Sequence, residues 1–108
     1  MKSAQCEPYT VEVCMACDNR MQAVQTCREF CDEVGLCVTV VDADYIYTGG
    51  AESGIIVRLI NYPRFPDSQE NIYDKAYRLA LRLKSDLRQK SFSLLTPTHH
   101  YWESDDAP

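Results

Sequence analysis

Glycine is scarce in this chain, with four among 108 residues. The one glycine cluster, Gly49-Gly50-Ala51-Glu52-Ser53-Gly54, contains no lysine and precedes a strand-like run rather than a helix. A phosphate-binding loop of the P-loop kind is therefore excluded. Bases are also few, 11 Lys and Arg against 16 Asp and Glu, for a net charge of -5. Proteins that grip nucleic-acid phosphates do so with clustered Lys and Arg, so direct nucleic-acid binding is not expected. No apolar run approaches the roughly 18 residues of a membrane-spanning helix, and no membrane association is expected. The segment Met1 to Pro8 is polar and lacks the apolar core of a signal peptide, which points to a cytoplasmic setting. Histidine occurs only as the pair His99-His100. Neighbours in an extended segment face opposite ways, so the two do not form a dyad, and no nucleophile elbow accompanies them.

Cysteine, by contrast, is plentiful at six residues. With nothing directing export, a disulfide framework is not expected, and reduced thiols acting as small apolar side chains are the simpler reading. Cys14-Met15-Ala16-Cys17 has C-x-x-C spacing at a strand-to-helix junction. There it resembles the paired-cysteine motif of ferredoxin-like heavy-metal-binding domains. That motif places Met two residues before the first Cys and a second Cys three residues later. Met15 and Cys17 match the first part, but Arg20 stands at the second ligand position. A structural zinc site through Cys14 and Cys17 would need two further ligands, from Cys6, Cys37 or the distant histidines. Packing or surface thiols are therefore expected, with no metal and no cofactor.

The length suits one domain spanning 1–108, with an ordered core over about 9–97 and a polar-aromatic tail over 98–108. Tyr9 to Met15 alternates cleanly, as a half-buried strand does. Asp18 or Asn19 caps a helix running to about Val34, with Met21, Val24, Cys27, Phe30 or Cys31, and Val34 as its inward stripe and Gly35 as its stop. Cys37 to Thr48 reads as a strand, with a bulge or early end expected near Asp42 and Asp44. Gly49-Gly50 and Gly54 bracket a reversal into a strand over Ile55 to Tyr62, which Pro63 and Pro66 end. Asp67 with Glu70 starts a second helix striped by Ile72, Ala76, Leu79, Leu83 and Leu87. Lys75, Arg78 and Arg82 lie on its outer face. Ser91 to Thr96 gives a last strand, placed at an edge. The order βαββαβ predicts an α+β, ferredoxin-like two-layer sandwich, with two helices on one face of a four-stranded antiparallel sheet.

The expected working surface is the sheet face turned away from the helices. If Ile55, Val57 and Leu59 pack beneath the helices, then Ile56, Arg58, Ile60 and Tyr62 project the other way, joined by Thr10, Glu12 and Cys14. The opposite register, with these residues as core, is the competing assignment. Such a face is too apolar to sit bare in water, and Arg58 would pair with Glu12 across the strands. The charge is also uneven: residues 1–56 hold 9 acids and 3 bases, residues 57–108 hold 7 acids and 8 bases. The reading this favours is a small acidic interaction module, a regulator or inhibitor of phage or mobile-element type. It would bind a protein partner, or a second copy as a homodimer, through Glu12, Ile56, Arg58, Ile60 and Tyr62. The rival is a small enzyme or small-molecule binder whose polar groups are Glu12, Arg58, Tyr62, Glu52, Arg64 and His99.

Overall fold

A computed structural model describes residues 1–106 of the chain. The elements run β1 (Thr10–Ala16), α1 (Arg20–Val34), β2 (Val38–Tyr47), β3 (Gly50–Ile60), α2 (Gln69–Asp86), β4 (Ser91–Leu95) and β5 (His100–Ser104). They form one antiparallel sheet in the order β2-β3-β1-β4-β5, with α1 and α2 packed on one face. The first four strands have the ferredoxin-like arrangement, and the class is α+β. The sheet has five strands, however, not four. The segment expected to be a tail adds β5 beside β4, from Leu95 opposite His100 to Ser91 opposite Ser104. It thereby moves β4 from the edge to an internal position, and Pro97 falls in the turn between the two strands. No helix among the described residues is long and apolar enough to cross a membrane.

Alternation on β1 sets the layers. Val11, Val13 and Met15 are buried beneath the helices, and β3 contributes Ile55, Val57 and Leu59 to the same side. The register that puts Ile56, Arg58 and Ile60 on the open face is therefore the one adopted. The β2–β3 pairing runs without interruption from Val38 opposite Leu59 to Tyr47 opposite Gly50, so no bulge forms at Asp42 or Asp44. The reversal is a two-residue turn at Thr48-Gly49, with Gly49 at φ 90°. Gly54 is not part of it. It lies within β3, where a Cβ would stand 2.3 Å from the Tyr45 ring and 2.5 Å from the Met15 carbonyl oxygen, so the position requires glycine.

Asn19 caps α1 by accepting the Gln22 backbone N–H, and Gly35 ends it at φ 70°, its N–H donating to the Cys31 carbonyl. The buried stripe of α1 is Ala23, Thr26, Cys27 and Phe30 rather than one led by Met21, which is 85% exposed. The phase shift follows from Thr26, whose hydroxyl donates to Asp86 on α2 at 2.7 Å and so tolerates burial. For α2 the N-cap is Ser68, not Asp67, with the Ser68 hydroxyl accepting the Asn71 N–H at 3.1 Å. Arg82 does not point to open solvent. It makes two hydrogen bonds to Glu33 on α1, at 2.9 and 2.8 Å, and lies over the Phe30 ring.

Leu79 and Leu83 are fully buried in the helix–sheet core. Leu83→Ala should lower stability by about 2–5 kcal/mol through lost burial and a residual cavity. Arg78→Ala, at an exposed position, should cost less than about 1 kcal/mol. Denaturant titration of the two variants checks this, and equal losses would contradict the packing described.

Candidate functional site

The residues named from the sequence do not converge. Glu12 and Arg58 are direct cross-strand partners at the centre of the open face, with Arg58 Nε donating to Glu12 Oε2 at 2.6 Å. Across the next row lie Val41, Ile56, Cys14, Ser93 and Trp102, one from each strand. Glu52 shares this face but sits opposite Tyr45, in the part of the β2–β3 hairpin that extends past the end of β1. Tyr62 and Arg64 belong to the loop after β3, and His99 to the β4–β5 turn. The six polar groups of the small-molecule reading are thus divided among four places.

The open face itself is not equipped for nucleophilic chemistry. Cys14 touches the Tyr45 hydroxyl, and burial is the main cause raising its thiol above the ordinary range. Tyr45 is raised as well, chiefly by burial and then by Cys14, and its hydroxyl donates to the Ile55 carbonyl at 2.6 Å. Both groups are neutral at physiological pH, and a neutral thiol is a poor nucleophile. Cys17 is buried on the helix side, away from Cys14. Among the described residues no group of three His, Cys, Asp or Glu is placed to hold a metal ion.

Two concavities flank the N-terminal end of α2, and their chemistries are opposite. One, of about 630 Å³, is lined by Tyr9 before β1, Gln69, Glu70 and Tyr73 on the first turns of α2, and residues 96 and 98–101 around the β4–β5 turn. Its walls carry three tyrosines and two histidines, one carboxylate at Glu70, and no lysine or arginine. The turn is braced locally: Thr96 Oγ1 accepts the His99 N–H at 2.9 Å, and the Thr96 N–H donates to the His99 carbonyl at 2.8 Å. The Tyr101 and Tyr77 hydroxyls both donate to Glu103 Oε1 at 2.8 Å, and the two rings meet edge to face at 6.1 Å. Tyr9 is raised by burial first and by neighbouring Tyr73 second. Except for His99, this pocket was missed from sequence because its tyrosines come from three separate elements.

The second concavity, of about 450 Å³, lies between residues 35–37 of the α1–β2 connection, Ile60 at the end of β3, the loop carrying Tyr62, Arg64 and Phe65, and Asp67, Ile72 and Lys75 at α2. The Asp67 carboxylate accepts the Ser68 N–H at 2.8 Å, Asn71 Nδ2 at 2.9 Å and Lys75 Nζ at 3.3 Å. These bonds, that from Asn71 first, hold Asp67 below the usual carboxylate range.

No family model matches the chain, and no curated protein matches it in sequence. Among solved structures, a phage SAM lyase in complex with S-methyl-5′-thioadenosine is similar to this chain at a TM-score of 0.78 with 14% identity. That alignment covers 96% of this chain and 95% of the other. A phage SAM lyase in the apo state aligns at a TM-score of 0.69 with 15% identity, covering 93% and 91%. At these identities the likeness is one of fold, and it extends over nearly the whole of each chain.

The Glu103 carboxylate pushes Tyr101 up to about 12, with burial and other neighbours adding to this. The folded-state value is raised, so the Tyr101 hydrogen bond contributes stability below the ordinary tyrosine range near pH ~10 and is lost as pH rises through about 12. An NMR-monitored titration should place Tyr101 ionisation there, and Glu103→Gln should bring it down. An unchanged midpoint in the variant would remove Glu103 as the cause.

Proposed function

We propose that the chain binds and cleaves an adenosyl sulfonium of the S-adenosylmethionine class, with the Tyr9–Tyr73–Tyr101 pocket as its site. One observation carries this: an aromatic pocket with a single carboxylate and no lysine or arginine, on a fold shared end to end with a phage SAM lyase. A sulfonium is a soft cation that aromatic faces attract, as they attract quaternary ammonium groups. The tyrosine and histidine rings also offer stacking surfaces for an adenine. Glu70 is the group for the α-ammonium of the amino-acid chain. The volume falls within the roughly 300–1,000 Å³ of small-molecule sites.

The chemistry asks little of the protein. The bond between sulfur and the γ-carbon breaks, and its electron pair passes to sulfur, leaving neutral methylthioadenosine. The substrate's own carboxylate is within reach of that carbon and closes a five-membered lactone ring, so atoms and charge balance without water or an enzyme nucleophile. Phage or mobile-element origin goes with this reading.

S-Adenosylmethionine incubated with the protein should yield methylthioadenosine, followed by chromatography. Tyr73→Ala and Glu70→Gln should each lower kcat/KM at least tenfold, with Arg78→Gln unchanged. The absence of both turnover and calorimetric binding of S-adenosylmethionine would end this reading.

A second reading is favoured by the open sheet face, where Trp102 is 63% exposed and Ile60 45%. That face, including Glu12, Ile56 and Arg58, is proposed as a contact surface for another protein or a second copy. Sedimentation should show Trp102→Asp, at an exposed strand position, to be smaller than a self-associated wild type while still folded. A monomeric wild type that recovers no partner removes this reading and leaves the first untouched.

A further inference from the structure

We propose that the concavity at the α1–β2 connection is a second ligand site, built for an apolar molecule bearing a carboxylate, of the aromatic-acid class. Its lining is largely apolar: Ile72 is buried and Leu36 half-buried, and Ile60, Phe65 and the Tyr62 ring are exposed around them. Its charges are uneven. Asp67 is already engaged by three donors, one of them Lys75, so its negative charge is spent within the protein. An ammonium has three N–H groups, and the bond to Asp67 uses one. Arg64 forms no ion pair among the described residues, and its guanidinium rests over the Phe65 ring, 5.4 Å from the centroid. The Phe65 N–H donates to the Tyr62 carbonyl at 2.9 Å, and this turn holds both rings and the guanidinium at the mouth.

The result is a cavity of about 450 Å³ with greasy walls, an acid paired to Lys75, and one cation, Arg64, outside any ion pair among the described residues. A sulfonium is repelled by Arg64 and Lys75, which separates this site from the tyrosine pocket. A small inorganic anion would leave the apolar floor unused. An aryl carboxylate satisfies both requirements: its ring covers Ile60, Ile72 and Phe65, and its carboxylate meets the guanidinium fork, which matches two oxygens at once. The site does not depend on the sulfonium reading and stands or falls separately.

The test uses naphthalene-2-carboxylate and its uncharged analogue naphthalene-2-methanol as probes, titrated into isotope-labelled full-length protein. The carboxylate should half-saturate below about 1 mM, at least tenfold more tightly than the alcohol, with amide shifts at Gly35–Cys37, Ile60 and Ile72. Arg64→Gln, on an exposed loop, should keep the wild-type spectrum and reduce the preference for the charged probe to threefold or less. Equal affinity for the two probes, shifts centred on Tyr9 and Tyr73 instead, or no saturation in the millimolar range would each overturn the proposal.

Discussion

Everything in this molecule hangs on the central strand. β1 is paired along both edges, by β3 and β4, and its alternate residues Val11, Val13 and Met15 are sealed under two helices. A one-residue slip would carry all three to the opposite face, so burial fixes the register of the strands on either side. That register then decides that Glu12 meets Arg58 and that Cys14 lies beside Ile56. The helices are tied in turn by Thr26 to Asp86 and Glu33 to Arg82, polar contacts that set their pairing above an apolar core.

Much of this arrangement was legible in the sequence because burial writes itself as periodicity. Tyr9 to Met15 alternates, and the stripe Ile72, Ala76, Leu79, Leu83 has helical spacing. Where the signal failed, the physics was polar. Thr26 is buried through a hydrogen bond, so the phase of α1 was misjudged and Met21 was assigned inward. β5 is an edge strand whose helix-side residues, Tyr101 and Glu103, are held by hydrogen bonds. It therefore carries no apolar run to announce it, and its five residues read as tail.

The candidate site was less legible than the fold, for a related reason. The sequence marks which residues share a strand face, and so Glu12, Arg58, Ile56 and Ile60 were placed correctly on the open side. A pocket at the end of a sheet is assembled from elements remote in the chain. Tyr9, Tyr73 and Tyr101 come together only because the end of α2 and the β4–β5 turn both reach the start of β1. Position along one strand carries no trace of that meeting. The two concavities beside α2 also differ in lining although they share one helix end. Glu70 and Tyr73 line one side, and Asp67, Ile72 and Lys75 the other.

The hairpin of β2 and β3 continues beyond Gly54, the last residue of β3 paired to β1. Past that point the two strands rest mainly on each other, with the Ser53 carbonyl also accepting the Cys17 N–H at 2.9 Å, and the Tyr47 ring lies against Gly50 on the open face. Two-stranded ribbons are marginal in water on their own. The amides nearest the turn are therefore expected to exchange with solvent before those of Val13 or Val57. One sheet thus combines a centre held from both edges and both layers with an arm that has fewer ties to lose.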